Sequence, residues 1–67
     1  MVISLNGKKT ELPEALTVQA FVQSKGLPAG ATIIELNGVV LPAERWAETF
    51  LKANDRLEVV RYVGGGQ

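Results

Sequence analysis

Two Asn-Gly dipeptides, Asn6-Gly7 and Asn37-Gly38, each stand between short runs of apolar residues, and they constrain this chain more than any other feature. Asn and Gly both tolerate positive φ, which a two-residue type I′ hairpin needs at both of its central positions. Before the first dipeptide, Ile3 and Leu5 point one way and Val2 and Ser4 the other, the period of a half-buried strand. Lys8 to Leu12 is therefore expected to return antiparallel, with Leu12 turned inward. Before the second, Thr32 to Leu36 places Ile34 and Leu36 towards a core and Ile33 and Glu35 outward. The short run Val39-Val40-Leu41 follows it.

Between the hairpins the period changes. Thr17 can cap a helix with its hydroxyl, and Val18, Phe21 and Val22 recur at the i, i+3, i+4 spacing of one apolar helical stripe. Lys25 suits the negative end of the helix dipole and Gly26 the residue that ends the last turn. After the second hairpin, Pro42 fits the first turn of a brief helix or 3₁₀ segment carrying Trp46, which reads as core cover with its N–H on a backbone acceptor. Ala47 and Leu51 keep helical spacing, and the sequence leaves open whether Phe50 and Leu51 begin an extended segment. Asn54-Asp55 is turn chemistry, and Arg56 to Val63 then alternates, with Leu57 and Val59 on one face and Glu58, Val60 and Tyr62 on the other.

Hairpin, helix, strand, short strand and final strand describe an α+β domain. Its sheet is mixed and four- to five-stranded, with one main helix packed across it. The right-handed crossover rule seats the last strand beside the first, parallel to it and in the middle of the sheet. That is the β-grasp arrangement of ubiquitin-like proteins. The expected division is a domain over 1–63 and a glycine-rich, mobile tail over 64–67, Gly64-Gly65-Gly66-Gln67, whose ordering would cost heavily in backbone entropy.

The chain has 67 residues, a size that buries only about 60% of its unfolded surface, so a deep catalytic cleft is not expected. It contains no cysteine and no histidine, which removes disulfides, thiolate nucleophiles, imidazole bases and the usual zinc frameworks together. Seven basic and seven acidic residues cancel, leaving no general field to draw it to nucleic acid or anionic lipid. No apolar run approaches the ~20 residues that cross a bilayer, and the N-terminus lacks a basic-then-apolar leader pattern. Neither nucleic acid nor membrane is expected as a partner, and the cytoplasm is the expected address. The carboxylates fall on separate positions instead of forming a paired site, so no catalytic residue and no metal ligand is assigned.

Taken together, Leu41-Pro42-Ala43-Glu44-Arg45-Trp46-Ala47, the Asn54-Asp55-Arg56-Leu57 turn into a strand, and the terminal glycines resemble the ThiS family, the sulfur carriers of thiamine biosynthesis. The likeness spans the whole chain. It implies a carrier, not an enzyme. In that family a diglycine carboxylate is adenylated by a ThiF-like activating enzyme that uses ATP and Mg. It is then converted to a thiocarboxylate and gives its sulfur to thiazole synthase, the sulfur coming from a cysteine desulfurase or sulfurtransferase. Carried onto this chain, Gly66 holds the reactive carboxyl and Gly65 precedes it. No cofactor would be bound by the carrier itself.

The family pattern ends at the second glycine, whereas Gln67 follows Gly66 here. The resemblance therefore implies that a peptidase removes Gln67 before activation. On the sheet face away from the helix, Val60, Tyr62, Glu58 and Ile33 read equally as a partner-docking patch or as the edge of the core. Two other readings share the fold: a carrier for cysteine, methionine or molybdopterin synthesis, and a non-covalent interaction module.

Overall fold

The computed structural model of the chain describes residues 1–61. The expectations for Tyr62, Val63 and the tail 64–67 lie outside the described residues. Five strands form one sheet in the order β2-β1-β5-β3-β4, with β1 at Val2–Leu5, β2 at Lys8–Glu11, β3 at Thr32–Leu36, β4 at Val39–Leu41 and β5 at Arg56–Arg61. The single α-helix among the described residues, α1, runs from Val18 to Ser24.

Both Asn-Gly pairs make the turns their chemistry suits. Asn6 and Gly7 have φ of 49° and 83°, and Asn37 and Gly38 have 54° and 86°. Each brings an antiparallel strand back, pairing Leu5 with Lys8 and Leu36 with Val39. β5 then enters the gap between the hairpins, parallel to β1 through Ser4–Arg56 and Leu5–Leu57, and antiparallel to β3 from Leu36–Leu57 to Thr32–Arg61. The sheet is thus mixed, five-stranded and centred on β5, the β-grasp arrangement.

The helix begins where the Thr17 side chain accepts a hydrogen bond from the Ala20 N–H at 3.0 Å, and its C-cap is Lys25, followed by Gly26. Val18, Phe21 and Val22 are buried against Ile3, Ile34 and Leu57 of the sheet, with Leu12, Trp46 and Leu51 closing the rim. This core lies wholly on the helix side of the sheet. Removing any of its large side chains costs about 2–5 kcal/mol by loss of transfer energy and cavity formation.

The segment after Pro42 differs in detail from expectation. Pro42 caps the element with extended backbone (ψ 149°) and does not enter its first turn. The helix is 3₁₀ throughout, Ala43–Glu48, and stops before the Ala47–Leu51 pair could form an α-turn. Phe50 instead bridges to Thr17, and Val18 donates its N–H to the Thr49 carbonyl at 2.9 Å. Leu51 packs in the core from an irregular loop. A second 3₁₀ turn, Ala29–Ala31, leads into β3. At the other end of the sheet the Met1 ammonium donates to the Leu12 carbonyl at 2.8 Å and to Glu11 at 3.1 Å, with Glu14 at 3.0 Å.

Candidate functional site

The expected site has two parts, a C-terminal carrier segment and a docking face, and the described residues contain most of the second. Gly64, Gly65, Gly66, Gln67 and Tyr62 lie outside them. β5 is the strand that leads to these residues, and it is the central strand of the sheet.

Alternation along β5 turns Leu57 and Val59 to the helix and Glu58 and Val60 to the open face. The antiparallel register with β3 sets Ile33 directly opposite Val60 and Glu35 directly opposite Glu58. Val40 on β4 is opposite Glu35 and shares that face. Ile33, Val60 and Val40 are 42%, 51% and 58% exposed, values that make them a real apolar surface and not the rim of the core. Val2 lies on the same face of β1, 41% exposed. The structure therefore brings Val60, Glu58 and Ile33 together as expected, on one side of the sheet near the last described residues of β5.

Two residues of this face carry more than the sequence assigned them. Glu35 becomes half of a like-charge pair across β3 and β5, and among the described residues the ion pairs join other groups. Like charges directly opposite in a sheet are destabilising. Val40 extends the apolar area to the edge strand. Neither could be found from local sequence, because both depend on which residue the register puts opposite.

The helix side offers less. A shallow groove of about 200 Å³ is lined by Leu5, Asn6, Phe21, Lys25, Leu27 and Val59. The Lys25 ammonium stands over the Phe21 ring, 5.8 Å from its centre. That volume is below the roughly 300–1,000 Å³ of cofactor pockets. Among the described residues no three of His, Cys, Asp or Glu gather where they could hold a metal, and no helix is long and apolar enough to cross a membrane. Trp46 is buried, and its indole N–H donates to the Leu41 carbonyl at 3.0 Å, so it serves the core.

Asn6 has a second role that its place in a turn does not show. Its Oδ1 accepts from the Val59 N–H at 2.8 Å and its Nδ2 donates to the Val59 carbonyl at 3.4 Å. The side chain thereby adds one more rung to the β1–β5 ladder beyond the end of β1.

Comparison with known proteins agrees with this architecture. The family model for the ThiS family matches residues 2–66. The chain is 33% identical over 66 residues to the sulfur carrier protein ThiS of Bacillus subtilis (strain 168), covering 97% of this chain and all of that one. It is 27% identical over 66 residues to a thiazole synthase of Paramagnetospirillum magneticum, covering 98% of this chain but spanning only 20% of that protein's length. Among solved structures it superimposes on the thiamine biosynthesis protein ThiS from Geobacter metallireducens with a TM-score of 0.84 at 32% identity, covering 98% of this chain and all of that one.

Proposed function

The chain belongs to the ThiS family, and from that premise we propose that it is a sulfur carrier of thiamine biosynthesis whose working group is the carboxylate of Gly66. The observation that carries the reading is the family match over residues 2–66, which takes in Gly65 and Gly66 as well as the folded body. The carrier itself is a co-substrate and not a catalyst.

In this reading the Gly66–Gln67 bond is first hydrolysed by a processing peptidase, leaving a free glycine carboxylate. A ThiF-like enzyme holding ATP and Mg joins that carboxylate to AMP and releases pyrophosphate. The terminal sulfur of a persulfide on a cysteine desulfurase or sulfurtransferase then attacks the acyl carbon and displaces AMP, and a second thiol reduces the resulting acyl disulfide, leaving the thiocarboxylate on the carrier and a disulfide on the donor. Glycine suits the position because no Cβ crowds the acyl carbon. Five residues carry the chain from Arg61 to Gly66, a span of up to about 17 Å at ~3.3 Å each. That reach lets the carboxylate enter an enzyme while the folded body stays outside.

The open sheet face supplies the docking surface for the activating enzyme in this account. Ile33 and Val60 form its apolar centre, and Glu58 and Glu35 its charged flank. A partner that offers Lys or Arg opposite the two glutamates would relieve their mutual repulsion on binding. The relative named thiazole synthase, in which a match to this chain occupies a fifth of the length, favours thiazole synthase as the sulfur acceptor over the cysteine, methionine and molybdopterin alternatives.

The test is a mass measurement on the chain ending at Gly66, after incubation with a ThiF-like enzyme, ATP, Mg and a sulfur donor. The carrier reading expects a gain of about 16 Da, oxygen replaced by sulfur. A non-covalent docking module would bind with no change in mass.

A further inference from the structure

The two neighbours of β5 do not hold it over the same length. β3 pairs with it as far as Arg61, through Thr32. β1 pairs with it only through Arg56 and Leu57, with backbone bonds from the Ser4 N–H to the Asp55 carbonyl and from the Asn6 N–H to the Leu57 carbonyl, each 2.9 Å. β1 then ends, because Asn6 takes the left-handed conformation that turns the chain into β2. The next rung on that side would fall on Val59. It is made by the Asn6 carboxamide, which presents one acceptor and one donor to the Val59 N–H and carbonyl in place of a peptide group.

We propose that Asn6 is a positioning residue for the carrier reaction: its carboxamide fixes Val59 on the side of β5 that β1 leaves uncovered, and so anchors the strand that precedes Gly66 in the chain. The proposal rests on the carrier reading given above. Asn37 provides a contrast within the same molecule. It too stands first in an Asn-Gly turn with positive φ, and its Oδ1 accepts from the Arg56 N–H at 2.9 Å while its Nδ2 donates to Asp55 Oδ1 at 3.0 Å. It thus fastens the start of β5, whereas Asn6 fastens Val59, three residues further along the strand. Holding a reacting group in place acts on the bound complex, so the loss of Asn6 should fall on kcat and spare KM, which reflects docking through the open face.

The experiment compares Asn6→Gly and Asn37→Gly in the chain ending at Gly66. Glycine keeps the positive φ of each turn and removes the side chain that bears the carboxamide, and the added backbone freedom is common to both variants. Two readouts are taken: adenylation kinetics with a ThiF-like enzyme, and amide hydrogen exchange of the free carrier. Asn6→Gly is expected to lower kcat about three- to tenfold, the scale of one net hydrogen bond, with KM unchanged. It should also speed exchange at Val59 selectively. Asn37→Gly should leave kcat within about twofold while speeding exchange at Arg56. Unchanged exchange at Val59 in Asn6→Gly, or an equal fall in kcat for both variants, would overturn the proposal. An unmutated chain that is never adenylated would contradict the carrier reading instead, and the exchange at Val59 would still decide whether Asn6 anchors the strand.

Discussion

Glu58 on the central strand and Glu35 on its neighbour stand directly opposite one another on the open face of the sheet, with Ile33 and Val60 paired beside them. Among the described residues neither carboxylate takes part in an ion pair, and like charges directly opposite in a sheet are destabilising. Glu35→Gln is expected to raise stability by up to about 0.5 kcal/mol, read as a higher denaturation midpoint. Glu58→Arg should likewise stabilise the free protein while weakening complex formation with the activating enzyme, and the loss should shrink as salt is added. Binding unchanged by Glu58→Arg, with the fold intact, would remove this face from the docking account.

Val60→Ala and Ile33→Ala address the apolar half of the same face. Both side chains are about half exposed, so the cost to folding should stay near ~1 kcal/mol or less. If the pair forms the centre of an interface, each truncation should raise KM for adenylation at constant kcat, the opposite split from that expected for Asn6. Equal KM values for these variants and the unmutated carrier would show that the enzyme docks elsewhere.

Ala15 holds φ of 58° with no glycine or asparagine to ease it. A side chain in that region is strained by roughly 1–2 kcal/mol. Ala15→Gly should therefore stabilise the fold by up to about 1 kcal/mol, the relief being partly offset by the freer unfolded chain. Gly38→Ala should do the reverse. Gly38 has φ of 86°, and a methyl group there would meet only the end of the Arg56 side chain, at 3.9 Å, so the cost comes from the backbone and not from crowding. Urea denaturation of the two variants checks both signs, and a destabilised Ala15→Gly would contradict the assignment of strain.

With Met1 carrying a free amine, its bonds to Glu14 and Glu11 raise the pKa of that amine above its ordinary value of 8.0. A group that holds its proton more tightly when folded stabilises the protein fully below its unfolded pKa and loses that contribution as pH rises through the folded value. Stability should therefore decline as the pH climbs above 8.0. The decline should flatten in a Glu11→Gln, Glu14→Gln double variant. An identical slope in both proteins would show that the ammonium contacts contribute nothing.

The sequence is most legible where one residue type answers one backbone demand. Asn6-Gly7 and Asn37-Gly38 declare their turns because few other pairs accept two positive φ values, and the alternation about Ile3, Ile34 and Leu57 declares which face each strand buries. The Thr17 cap and the stripe Val18, Phe21, Val22 are equally plain. What escapes is long-range. The bond from Asn6 to Val59 joins residues 53 apart, and the Glu35–Glu58 pairing exists only once β5 has chosen its register against β3. Ala15 carries no signal, because its conformation is imposed by the loop and not by its chemistry. The role proposed for Gly65 and Gly66 is readable only by resemblance, since glycines carry no pattern of their own.

The most direct measurement is formation of an acyl-adenylate on two chains, one ending at Gly66 and one retaining Gln67, each offered ATP, Mg and the cognate activating enzyme. Pyrophosphate release and covalently bound AMP are predicted on the first chain and neither on the second. A chain ending at Gly66 that docks yet never acquires AMP would contradict the claim that this carboxylate is the group the protein exists to present.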